Sequence, residues 1–374
     1  MPASYETLPS LPFATRVPRV KQVEVHPSGQ LVALVSGTVM HAATLADVPT
    51  GLPGRTHDAT AVAMAPDGLR LAVATRQRTV VVRDASAAPP RREIEVPAVP
   101  VAVRWVDDGR LVVAMAHAGI LLLDATTGTV LGTLFESRGR DAFGGLAVAR
   151  RSGMLVHAQG ARLRSIEIDG GRLEWERTLD GEVRAPSVSP DATRVVVTSP
   201  VGAEGGPWQR LAPTTGRFPV VDPSQEPPAP RRGLRVLHLA DGSDVASGPA
   251  FTHAGVRTSG TTLAFTPQPR FSPDGTRIAV NLPTGALAIY DAATLRPDVV
   301  VPRDPVVAWI EDLDFAPDGD EVVFGTRHDH IGRFSIPGMT VSASIEGLDP
   351  ELAGSEAPRP WVAALASFLV PGLG

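Results

Sequence analysis

Cysteine is absent from the 374 residues, which excludes a disulfide framework, a thiolate metal site and a cysteine nucleophile. Lysine is nearly absent too: Lys21 is the only one, so arginine is the default cation, a matter of codon usage. Neither sign of charge dominates. The formal net charge of −5 gives no reason to expect a nucleic-acid partner. No stretch reaches the ~18 consecutive apolar residues of a membrane-spanning helix. The amino terminus, "MPASYETLPSLPFATRVPRV", lacks the apolar run behind basic residues that marks a secretory signal. A soluble, cytoplasmic protein without a transmembrane segment is therefore expected. Also missing are a Gly-rich phosphate loop, a GxSxG nucleophile elbow and an HExxH motif, so neither a catalytic residue nor a cofactor is expected. Apolar residues at 43% and charged residues at 20% leave ample material for a core.

What the chain does have is a repeat. "HPSGQLVALV" at Gly29, "APDGLRLAVA" at Gly68, "VDDGRLVVAM" at Gly109 and "RRSGMLVHA" at Gly153 share one pattern. "SPDATRVVVT", with Ala192 in the glycine position, "SPDGTRIAVN" at Gly275 and "APDGDEVVFG" at Gly319 continue it. The period of ~40 residues is the mark of a propeller or a related array. Proline presets φ, aspartate caps its own backbone and glycine accepts a positive φ, so each anchor is a turn. The β-branched runs after the turns are too short for helices and lack polar alternation, so both faces should be buried. Connections this short allow only antiparallel hairpins. Antiparallel sheets stacked face to face around an axis satisfy both demands, and that is a β-propeller.

The residues six before each anchor glycine are Val23, Val62, Val103, Ala147, Pro186, Pro269 and Leu313, all apolar. Those five before are mixed: Glu24, Ala63, Arg104, Val148, Ser187, Arg270 and Asp314. One face of the first strand should therefore be buried in every blade, each such side chain contributing roughly 1.5–3 kcal/mol. Arg270 and Asp314, level with one another in consecutive units, should lie close. The double-length gap after Ala192 contains residues 200–233, with eight prolines and no strand pattern. "LRVLHLADGSD" then resumes as a third strand. The expectation is an all-β fold: a seven-bladed β-propeller of four-stranded antiparallel blades over 19–347, with a proline-rich insertion (200–233) in blade five. Residues 1–18 would be an N-terminal extension and 348–374 a tail with a short apolar helix.

Residues 54–86 carry His57, "AVAMAPDG", "LAVA" and "TVVVRD", and by these they resemble a Trp-Asp (WD) repeat, a likeness that covers 19–347 by pattern. Arg83 stands where that family has tryptophan, Gln77 where it has its structural aspartate, and Leu123 and Tyr290 at the tryptophan position of blades three and six. The resemblance is thus to a degenerate, bacterial-style relative, and implies a rigid, non-catalytic platform for other proteins. Family geometry puts the Pro-Asp-Gly turns on one face and the turns between second and third strands on the other.

That second face would gather Arg76, Arg78, His117, Arg162, Arg327, His328 and His330, with Trp208, Arg210, Arg217, Arg231 and Arg232 on the insertion. Two readings stand: scattered solvated turns, or a docking face for an acidic protein segment. "HDH" at 328–330 is either an ordinary turn or a pair of metal-ready imidazoles that still needs a third ligand. Glu311, Asp312 and Asp314 either balance Arg270 and Arg104 across the axis or hold a divalent ion, as in propeller lactonases. Trp208 either pins the insertion down or anchors a partner. At the carboxyl end Pro360 suits a first helical turn, and Trp361, Leu365, Phe368 and Leu369 share one face. That face docks on the propeller itself, on a partner or on a membrane. The expected function is a scaffold or assembly subunit that binds a protein partner through these residues. The alternative is a hydrolase or lactonase with a divalent metal in the channel.

Overall fold

The computed structural model describes residues 5–7, 20–27, 31–36, 39–44, 56–84, 91–137, 141–179, 181–198, 233–248, 257–258, 261–262, 267–282, 287–301, 310–326 and 331–336. Every regular element among them is a strand. The chain divides into two compact units, Met1–Thr340 and Val341–Gly374, and the second lies outside the described residues, as does the helix expected near Trp361.

Six four-stranded antiparallel blades are each built from one stretch of chain. Blade 1 runs from the strand Val20–Val25 to Thr56–His57, blade 2 from Ala59–Met64 to Arg91–Glu95, and blade 3 from Pro100–Trp105 to Val130–Phe135. Blade 4 runs from Phe143–Ala149 to Leu173–Thr178, blade 5 from Arg184–Val188 to Asp244–Ser247, and blade 6 from Pro269–Phe271 to Pro297–Val301. The expectation of seven such self-contained blades is corrected here to six. The last three strands, Ile310–Phe315, Glu321–Thr326 and Ile331–Ser335, complete a sheet only by taking Tyr5–Thr7 from the opposite end of the chain. This composite closing sheet packs its first two strands against the first strand of blade 1. The physical reason is that a ring of sheets has two loose chain ends, and pairing one on the other removes an exposed edge. No turn motif marks an outer strand, so the anchors could not reveal it.

In blade 5 the chain leaves at Thr198 and returns at Leu234, whose strand pairs antiparallel with Arg194–Thr198. Residues 199–232 between them lie outside the described residues. A small two-stranded ribbon, Arg257–Thr258 with Thr261–Thr262, precedes blade 6.

The turns follow their chemistry closely. In blade 6, Gly275 N donates to Ser272 O at 2.8 Å with φ +73°, while Asp274 accepts from Ser272 Oγ at 2.5 Å and from Thr276 N at 3.0 Å. Blade 5 repeats this with Ser189, Asp191 and Thr193, although Ala192 must hold φ 58° where glycine would rest without strain. Blade 4 departs by one residue: Ser152, not Gly153, closes the turn onto Ala149. Leu146, not Ala147, therefore occupies the buried row of Val23, Val62 and Val103.

The core is divided among the seams between blades. Ala72, Val80 and Val82 of blade 2 pack with Val103, Trp105 and Leu111 of blade 3. Val196 and Val236 of blade 5 likewise pack with Phe271, Ile278 and Tyr290 of blade 6. Trp105 is fully buried, and its Nε1 donates across the seam to Ala63 O at 3.1 Å. This explains strands that are apolar on both faces although the sheets are antiparallel.

Candidate functional site

The first strands of successive blades lie side by side around the axis, so their hydrophilic residues meet there. Seam by seam, polar side chains imitate a missing strand. Gln22 donates Nε2 to Val62 O at 2.6 Å and accepts from Val62 N at 3.0 Å. Thr60 Oγ1 donates to Pro100 O at 2.6 Å, and Asn281 Nδ2 donates to Ile310 O and Glu311 O at 3.1 and 3.0 Å. At the closing seam two carboxylates take this part: Asp312 Oδ2 accepts from Val23 N at 2.9 Å, and Asp314 Oδ2 from Val25 N at 3.0 Å.

Charge is balanced within the same cluster. Arg270 Nη2 lies 3.2 Å from Asp312 Oδ1, and Arg104 Nη1 lies 3.4 Å from Glu24 Oε1. Arg270 and Asp314 do lie close enough for their charges to interact, as expected, but the ion pair itself forms with Asp312, two residues earlier. Burial works against the charge of Arg270, yet Asp312, Asp314 and Glu24 outweigh it and hold its pKa above the ordinary value. Burial raises Asp312, while Arg270 and backbone N–H donors oppose the shift. Asp314 is pushed up to about 7, by burial first and by Glu24 second. These carboxylates are occupied with backbone amides and guanidinium groups, a structural role at the ring's closure. Among the described residues no group of three or more His, Asp or Glu side chains could hold a metal ion.

The other candidates occupy the opposite ends of the strand pairs. Arg76 and Arg78 are exposed in the turn between the second and third strands of blade 2, with Arg78 at φ 59°. His117 is exposed in the corresponding turn of blade 3, at φ 61°. Arg162 opens the third strand of blade 4, exposed and 4.0 Å from Glu176 Oε1. The fold brings these four to the same end of three successive blades. Trp208, Arg210, Arg217, Arg231, Arg232, Arg327, His328, His330, Trp361, Leu365, Phe368 and Leu369 lie outside the described residues.

Sequence reasoning passed over three polar residues of blade 4, namely His157, Gln159 and Arg164, all buried. A signal did exist. The residues that pair with the buried first-strand row are Leu34, Val73, Val113, Val280 and Phe324 in other sheets, and His157 in blade 4. The one-residue shift of the blade 4 turn concealed the comparison.

Residues 36–205, less than half of the chain, match the family model described as outer membrane protein assembly factor BamB. The Trp-Asp repeat resemblance is not what the family comparison returned. No curated protein matches the chain. Among solved structures, "Structure of U3-55K" is similar with a TM-score of 0.67 and 12% identity, over 88% of this chain and 98% of that one. At that identity the likeness shows the fold alone, a β-propeller. No helix among the described residues is long and apolar enough to cross a membrane.

Proposed function

We propose that this β-propeller is a non-enzymatic interaction module, a scaffold or subunit of a multiprotein assembly. Its docking face is the end of the ring that carries Arg76, Arg78, His117 and Arg162, and its partner presents an acidic segment. The residues of the insertion would add contacts on this face, and the apolar carboxyl end would serve beside it or in its place as a second way of binding a partner. One observation carries this reading: the exposed cations Arg76 and Arg78 of blade 2 and Arg162 of blade 4 stand at the same end of the ring, on either side of the exposed His117 of blade 3. The partial match to the model of a protein assembly factor supports a role in assembly. The engagement of Asp312 and Asp314 with backbone amides counts against the lactonase alternative. A stoichiometric divalent ion surviving dialysis would revive it. Cytoplasmic residence is part of the proposal and is checked by cell fractionation.

The test is a charge reversal, R76E/R78E/R162E, set against a control reversal at the Pro-Asp-Gly end, D318R. Proteins that co-purify with the wild type are quantified for both variants. Charged groups at an interface rim act chiefly through association rate and salt sensitivity. The first variant should lose a partner that the control retains, and wild-type recovery of that partner should fall as salt rises. Equal recovery by all three proteins would remove this face from consideration.

A further inference from the structure

A cavity of about 270 Å³ lies between blades 3 and 4, with the exposed His117 among its lining residues. Its walls are mostly apolar, with Val101, Met115 and Ile120 from blade 3 and Phe143 from blade 4. His157 lines it as well, only 3% exposed, and its Nδ1 is buried with no hydrogen-bond partner. The ring is stacked at 27° on Phe143, centroids 6.0 Å apart, and tilted against Phe135 at 5.0 Å.

The surroundings of His157 are otherwise satisfied. Arg164 pairs with Glu176 at 2.5 Å, and its guanidinium lies 4.8 Å over the Phe135 ring. Gln159 accepts from Arg164 Nη1 at 3.3 Å and donates to Ser137 Oγ at 3.1 Å. Ser165 Oγ of the same blade is also buried without a partner but does not line the cavity. The unpaired atom that does is His157 Nδ1, on a residue that stands where other sheets place Leu34, Val73, Val113, Val280 and Phe324. A buried group without its hydrogen bond destabilises the fold, so an apolar residue would be the default here. An orphaned imidazole nitrogen in a mostly apolar cavity is the arrangement expected of a ligand site: apolar walls with one or two placed polar groups.

We infer that the cavity between blades 3 and 4 binds a small, uncharged, planar aromatic molecule whose single N–H or O–H donates to His157 Nδ1. Size sets the class. A cavity of about 150 Å³ accommodates benzene, so this one takes a fused bicyclic ring. An uncharged ligand follows from the neutral imidazole and from a guanidinium, Arg164, that Glu176 already balances. The aromatic preference follows from Phe135 and Phe143, which flank the His157 ring. This site needs no partner protein, so it stands or falls separately from the docking face.

The test uses ¹⁹F NMR of the full chain with 6-fluoroindole and with its N-methyl analogue, which lacks the N–H. The wild type should bind 6-fluoroindole at sub-millimolar concentration and the analogue roughly five- to tenfold more weakly, the worth of one hydrogen bond. H157L should abolish that difference. A142W, at an exposed position of the lining, should abolish both interactions by filling the opening. The inference is overturned if neither probe binds, as when water alone fills the cavity. Binding that survives A142W, or a difference between the probes that survives H157L, overturns it equally. H157L keeps the walls apolar and should fold at least as well as the wild type, so a lost signal is not a lost fold.

Discussion

Replacing His157 by leucine should stabilise the protein, and by more in acid than at neutral pH. The imidazole is buried, and burial first, then the nearby Arg164 charge, push its pKa down to about 3 from an ordinary 6.5. In the unfolded chain it takes a proton as pH falls through 6.5; in the folded chain it stays neutral until about 3. Over that window the unfolded state holds more protons, so wild-type stability is lost as pH falls. Between pH 7 and pH 5 this difference amounts to roughly 2 kcal/mol. A leucine has nothing to titrate and leaves no orphaned Nδ1, whose burial costs about 1–3 kcal/mol. The H157L variant should therefore exceed the wild type by about 1–2 kcal/mol at pH 7 and by roughly 3–4 kcal/mol at pH 5. Urea midpoints of both proteins at pH 7, 6 and 5 measure this, and the difference between them cancels every other titrating group. A gap that stays constant with pH would refute the reasoning, because it would mean that His157 titrates alike in both states.

Removing one partner of the largely buried Arg270–Asp312 pair should be severe. D312N removes the acidic partner nearest to Arg270, leaving only Asp314 and Glu24 to act on its charge, and should cost about 3–5 kcal/mol, read as a melting temperature lower by several degrees, with partial recovery in R270M/D312N. No recovery in the double variant would mean that the bond from Val23 N to Asp312, not the ion pair, carries the effect. Deleting residues 1–8 strips Tyr5–Thr7 from the closing sheet. It should speed amide exchange at Gly332–Phe334 and lower the unfolding temperature, and unchanged exchange would argue against ring closure by this strand. Trp105→Phe deletes the donor to Ala63 O in a fully buried seam and should cost about 1–3 kcal/mol in a chemical denaturation series. A neutral result would show that the seam tolerates the orphaned carbonyl.

The sequence by itself determined the strand–turn–strand units, the seams and the propeller architecture. Those rest on local turn chemistry in stretches such as "SPDGTR" and on apolar runs that demand cover on both faces, and both are written residue by residue. It also placed Arg76, Arg78, His117 and Arg162 at one end of their blades, because strand direction alternates with each turn. Only the tertiary structure decided what depends on contacts between distant segments. Tyr5–Thr7 carries no motif, and it becomes a strand because Ile331–Ser335 offers a free edge. Arg270 chose Asp312 over Asp314 by the geometry of a seam. His157 Nδ1 is left without a hydrogen-bond partner because its ring packs against two phenylalanines, Phe135 of blade 3 and Phe143 of the preceding strand of blade 4. Short-range pattern fixes secondary structure because backbone sterics act locally, whereas burial and pairing are properties of neighbours that folding alone supplies.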